Sequence, residues 1–258
     1  MVSEFMLQQT PVDRVLPVWE AWLERWPTPA DLAGAGVGDA VRAWGRLGYP
    51  RRARRLHESA ALIVERHGGQ VPADADDLRA LPGVGEYTAA AILAFAFGRR
   101  SIVLDTNVRR VLVRTQEGLA VPPGHMTRAE RSTADQLWPS EDAASARWSA
   151  AVMELGALVC TARAPACERC PVTASCTWHA RGRPNAPHAP RRQPRYEGSD
   201  RQARGALLAV LRAQEQPASR QDLASAWADE SQRDRALASL LADGLVVELA
   251  DGSLVLPP

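Results

Sequence analysis

The four cysteines of this chain, Cys160, Cys167, Cys170 and Cys176, crowd into one short stretch, and the rest of the 258 residues contain none. Two disulfides placed there would be an odd economy in a chain of this size that carries no export signal. A metal or cluster site is the better reading. The spacing is C-x6-C-x2-C-x5-C. Structural zinc usually pairs cysteines as two CxxC-like knuckles, and only Cys167 and Cys170 form such a pair. A compact set of four can hold an iron–sulfur cluster instead. The chemistry leaves both open and favours the cluster.

Around that stretch the chain reads as helix. Helical patterns cover 4–26, interrupted at Pro11 and Pro17, then 30–46 and 51–67, joined by Leu47-Gly48-Tyr49-Pro50. Further helices are expected over 74–81, 86–97, 105–118 and 143–160. No strand pattern precedes residue 243, so the first 180 residues form an all-α unit. Residues 181–199 hold Pro184, Pro187, Pro190 and Pro194, and five arginines against Glu197. They read as a basic, semi-extended linker. Helices return over 202–213, 219–227 and 231–242. Val246–Leu249 and Ser253–Leu256 then flank Asp251-Gly252, a hairpin signal. Three helices and a hairpin make 200–258 winged-helix-like, a module that serves as a DNA reader or as a packing module.

The composition, 46% hydrophobic and 24% charged, is that of a globular protein. No apolar run is long enough to span a membrane, and no signal peptide precedes the first helix, so a cytoplasmic location is expected. A net charge of +1 neither requires nor excludes a nucleic-acid partner. All 31 basic residues are arginine. No side-chain amine is therefore available to form a Schiff base.

Two motifs carry chemistry. Leu81-Pro82-Gly83-Val84-Gly85 stands between helical patterns as a helix–hairpin–helix turn. Its glycines permit tight backbone geometry, and the amides of the next helix can hold a phosphate oxygen. An ordinary helix corner would look similar. Some twenty residues on, Val103-Leu104-Asp105-Thr106-Asn107-Val108-Arg109-Arg110 places Asp105 where a helix begins. Asp105 is either a plain N-cap or a carboxylate beside a bound nucleotide. The two motifs at this distance are more specific than either alone.

Leu81–Thr88, Asp105–Arg110 and the four cysteines together resemble the endonuclease III superfamily of DNA glycosylases. Ser3-Glu4-Phe5-Met6-Leu7-Gln8-Gln9-Thr10 is similar to the signature of the MutY-type adenine glycosylases, and Leu47-Gly48-Tyr49 and Met153–Ala157 match that branch. The resemblance covers roughly 1–180 and does not reach 200–258. It implies a mainly α, helix–hairpin–helix DNA glycosylase fold. A helical barrel module is expected over 1–98 and a cluster module over 99–180, with a DNA cleft between them. The linker 181–199 and the winged-helix-like domain 200–258 follow.

The resemblance also implies the site. Cys160, Cys167, Cys170 and Cys176 hold a 4Fe–4S cluster. Glu4 is similar to the general acid that protonates adenine, Asp105 to the carboxylate that offsets the sugar cation, and Asn107 to its support. Tyr87 stands where bifunctional relatives carry a Schiff-base lysine. Gln8, Gln9, Thr10, Leu47 and Tyr49 resemble residues that enter the duplex, and Gly83, Val84 and Gly85 those that hold phosphate. Pro50 and Ala150 depart from the family's usual residues. The implied activity is monofunctional excision of adenine opposite guanine or 8-oxoguanine in base excision repair, by a monomer acting on double-stranded DNA. A G:T thymine glycosylase, an endonuclease III-like pyrimidine glycosylase and a non-catalytic iron–sulfur DNA-binding regulator are the alternatives. The absence of lysine argues against the second of these, and the presence of Glu4 and Asp105 against the third.

Overall fold

The computed structural model describes residues 1–186 and 195–258. The middle of the expected linker, with Arg191 and Arg192, lies outside the described residues.

The first expected helix is two helices, α1 (Val2–Leu7) and α2 (Val12–Arg25). Pro11 cannot continue α1 and instead caps α2 in an extended conformation. Pro17 stays within α2. The pattern over 30–46 also divides, into α3 (Pro29–Ala33) and α4 (Val37–Trp44), at Gly34-Ala35-Gly36. α5 (Arg51–His67) ends at Gly68 in the left-handed region. Next come α6 (Ala75–Arg79) and α7 (Glu86–Phe97). α8 (Thr106–Leu112) starts at Asp105, as expected, and runs into a π-helical turn, Val113–Glu117. α9 (Arg128–Leu137) was not foreseen, although the capping box of Thr127 and Glu130 announces it. α10 (Asp142–Glu154) passes into a second π-helical turn, Leu155–Val159. α11 (Thr177–Ala180) follows the cysteines.

The C-terminal segment contains α12 (Asp200–Ala213), α13 (Arg220–Ala226) and α14 (Glu230–Ala242). An antiparallel ribbon of β1 (Val247–Glu248) and β2 (Leu254–Val255) closes it, with Val247 opposite Val255. No strand precedes this ribbon among the described residues.

The described chain gathers into two compact units, and their limits differ from the expected modules. The first takes Met1–Pro72, Ala80–Gly83 and residues 195–258; the second takes Ala73–Arg79 and residues 84–186. α7 thus counts with the second unit, because its small residues Ala91 and Ala94 pack with Val103, Tyr87 and Met153. The first unit's core is built on Trp22, which meets Trp26 and Trp44 edge-on at 4.7 and 5.8 Å between ring centroids. In the same unit the C-terminal segment is tied to α4 and α5. Arg42 donates to the Arg212 and Gln214 carbonyls, Arg212 to Val41 O, and Arg54 to Asp243 O. The amides of Val37 and Gly38 donate to the carbonyls of Pro258 and Pro257. The second unit's main core joins Val108, Val111 and Leu112 of α8 to Ala134, Trp138 and Val152.

Candidate functional site

In the first unit the expected duplex-entering residues sit on two turns held by one buried arginine. Arg52, 7% exposed, donates to the carbonyls of Phe5 (2.7 Å) and Met6 (2.9 Å), to Thr10 Oγ1 (3.0 Å) and to Gly48 O (3.0 Å). Its guanidinium lies 5.1 Å from the Trp44 ring and 5.6 Å from that of Tyr49. Burial pushes this guanidinium down to about 10, partly opposed by Tyr49. Thr10 and Leu47 are themselves buried, and Thr10 donates to Leu47 O at 3.0 Å. They therefore form the frame of the two turns. Gln9 and Tyr49 are exposed, and both adopt left-handed backbone, with φ of 59° and 47°. That conformation is costly for residues with a Cβ and persists where surrounding bonds hold it. Glu4 and Gln8 are half-buried at α1 and its end.

The Leu81–Gly85 turn is equally specific. Gly83 has φ of +81°, and a Cβ there would meet Phe5 at 2.9 Å and Arg55 at 3.1 Å. Ser59 donates to Pro82 O at 2.8 Å and pins the turn. Val84 is buried, so only its backbone is presented. Gly85 stands at the N-cap of the twelve-residue helix α7 in extended backbone and makes no side-chain cap bond.

In the second unit Asp105 is held at both oxygens. Oδ1 accepts from the Val108 amide at 2.6 Å and Oδ2 from Asn107 Nδ2 at 2.9 Å. The N-cap and the bound carboxylate are thus one arrangement. Asn107 Oδ1 accepts in turn from Arg110 (2.8 Å), whose other donors reach Gly156 O (2.6 Å) and Cys160 O (2.7 Å). Burial holds the Arg110 guanidinium below its ordinary value, as does Arg114, against the opposite pull of Cys160 and Asp105. Gly156 is needed here, since a Cβ would lie 2.8 Å from Asn107 Cβ and its carbonyl oxygen. Beside this chain Arg109 makes a two-pronged pair with Glu130, 2.9 and 3.0 Å, at a carboxylate 3% exposed. Burial raises the Glu130 carboxyl, but the bonds from Arg109 and Thr127 outweigh it and leave it below its usual value. Tyr87, on the first turn of α7, is half-buried against Ala91, Ala94 and Val103.

None of the four cysteines is in a disulfide, and all four line one cavity walled by Val111, Leu155, Val159, Val172 and Trp178. Four cysteine side chains gathered around one largely apolar cavity fit a 4Fe–4S cluster held by four thiolates. Arg114 adds a cation beside the Cys160 sulfur, at 3.3 Å.

Sequence reasoning missed Arg52, Arg110 and Arg114. The signal was present for the last two: they stand four apart, about one helical turn, on either side of Val111-Leu112-Val113, where a charged side chain needs a buried partner.

Known proteins of one superfamily resemble this chain. Residues 2–134 match the HhH-GPD superfamily of base excision DNA repair proteins, and residues 160–176 match the iron-sulfur binding domain of endonuclease III. The chain is 51% identical to the adenine DNA glycosylase of Mycobacterium tuberculosis over all 258 residues, covering 84% of that protein. It is 52% identical to the one from Mycolicibacterium smegmatis, over 99% of this chain and 86% of the relative. These matches correct the expected extent of the resemblance, which continues through 200–258. A solved thermostable thymine-DNA glycosylase superposes with a TM-score of 0.61 at 26% identity, over 70% of this chain and 82% of that one. Among the described residues no helix is long and apolar enough to cross a membrane.

Proposed function

The chain belongs to the adenine DNA glycosylases of the HhH-GPD superfamily, and from that premise we propose that it removes adenine paired with guanine or 8-oxoguanine and leaves the strand uncut. It is an enzyme of base excision repair that carries a 4Fe–4S cluster domain. The observation that carries the proposed mechanism is the doubly bonded carboxylate of Asp105 at the start of α8.

A base inside a duplex is unreachable, so the adenine must leave the stack, at a cost of a few kcal/mol that is smaller at a mismatch. Gln9 and Tyr49, exposed on the turns tied by Arg52, fill the gap left behind. The amides at Gly83–Gly85 and the start of α7 hold the phosphate backbone without reading sequence. Glu4 gives a proton to the departing base. Asp105 offsets the positive charge that grows on the sugar, and its two hydrogen bonds keep it in place as that charge appears. Water then adds to C1′ of the sugar cation and gives up a proton, and because Tyr87 cannot form an imine and the chain has no lysine, the abasic site is left in an uncut strand. When bound, the cluster supplies a fixed scaffold for the loop of Cys160–Cys176, which we read as a DNA-contacting loop. The protein acts as a monomer, and we retain 1–98, 99–180 and 200–258 as its barrel, cluster and winged-helix-like modules.

The test is incubation with duplexes bearing A:8-oxoguanine, A:G, G:T or thymine glycol, followed by alkali. Cleavage of the first two, only after alkali, supports the reading. Strand breaks without alkali, or activity confined to G:T or thymine glycol, would overturn it.

A further inference from the structure

Among the described residues, Arg114 is a buried cation with no carboxylate ion pair. Its side chain is 2% exposed, in the π-helical turn that follows α8. Nε donates to Ala120 O at 2.9 Å, Nη1 to Thr161 O at 2.8 Å and to the Cys160 sulfur at 3.3 Å, and Nη2 to Ala162 O at 3.3 Å. The guanidinium lies 4.5 Å from the Trp178 ring centroid.

Carbonyls satisfy these donors but do not neutralise the charge. The ion pairs among the described residues include none to Arg114. A buried guanidinium without a counter-ion is strongly unfavourable. Four thiolates around a 4Fe–4S core carry net negative charge, and hydrogen bonds and charge at the sulfurs set its reduction potential. Arginine suits the place better than lysine because its planar fork reaches several acceptors at once.

We propose that Arg114 is the counter-cation of the cluster, bracing the Cys160 end of the ligand loop and raising the cluster's reduction potential. The proposal rests on the assignment of the four cysteines to the cluster. A nearby cation favours the more negative, reduced form, so its removal shifts the potential downward.

The test uses the full-length protein as wild type, Arg114→Gln and Arg114→Lys, each analysed for iron per chain and titrated for its potential. Arg114→Gln is expected to titrate at a more negative potential and to lose iron to a chelator faster. Arg114→Lys keeps the charge without the fork, so its potential should stay at the wild-type value while iron loss is still faster. An unchanged potential in Arg114→Gln overturns the role of Arg114. If that variant does not fold, a downward shift in Arg114→Lys overturns it instead. Wild-type protein that binds no iron overturns the cluster assignment, and this role with it.

Discussion

A carboxylate that must offset a transient cation works only if it is already aimed, and Asp105 is aimed by its own helix. The Val108 amide and Asn107 bond both oxygens, and Arg110 fixes Asn107. Asp105→Asn should abolish turnover and leave duplex affinity largely intact in a binding assay. Asn107→Ala leaves one carboxylate oxygen and one Arg110 donor unmatched, at about 1–3 kcal/mol. Single-turnover kinetics should show a lower rate of excision at nearly unchanged Kd. The pair of Arg109 and Glu130 makes a pH prediction. The folded-state value of Glu130 is depressed below its ordinary 4.5. Its contribution is therefore complete above that value and is lost as pH falls through the lower, folded-state value. Glu130→Gln strands a buried guanidinium and should cost about 3–5 kcal/mol at neutral pH. Thermal melts at pH 7 and below pH 4 should show the gap between variant and wild type narrowing in acid.

Two elements owe their shape to residues outside them. The turns at Gln8–Thr10 and Leu47–Pro50 each carry a left-handed, non-glycine residue, and Arg52 of α5 ties both. Lysine at 52 would keep the charge, but one ammonium cannot span the carbonyls of Phe5, Met6 and Gly48 together with Thr10. Arg52→Lys should therefore weaken binding to a mismatched duplex more than to a matched one, as read by competition titration. An equal loss on both duplexes would contradict the role of these turns. α9 depends on a local device instead. Thr127 and Glu130 form its capping box, and Thr127→Ala should lower stability by about 1 kcal/mol in a denaturant titration.

For the whole molecule, the charge of residues 200–258 matters most. This segment holds six arginines against nine aspartates and glutamates. Arg204 bonds Ser239 and Asp243, Arg212 bonds Val41 O, Arg220 bonds Glu248, Arg233 bonds Trp227 O, Arg235 pairs with Asp200, and Arg201 also has a partner. Phosphate contact would compete with these bonds, so the segment reads as a packing module for α4 and α5. Neutralising Arg220 and Arg235 together should leave the slope of log Kd against log salt unchanged. Gly38→Ala should lower Tm, because its Cβ would collide with Pro257 O and lie 2.9 Å from Leu256 Cβ; such overpacking costs about 1–3 kcal/mol. Local rules made much of this molecule legible in the chain alone. Asp105 as a cap, Gly83 in its turn, the Asp251-Gly252 hairpin and the grouped cysteines each depend on neighbours within a few residues. What needed the tertiary structure was which side of a turn is buried. Thr10 and Leu47 went inside while Gln9 and Tyr49 stayed out, and Arg52, Arg110 and Arg114 became the ties. Each tie joins segments far apart in sequence, such as Arg114 and Cys160. Helical periodicity reports which face of a helix is apolar, but not which distant carbonyl or sulfur will meet a buried cation once the chain has closed on itself.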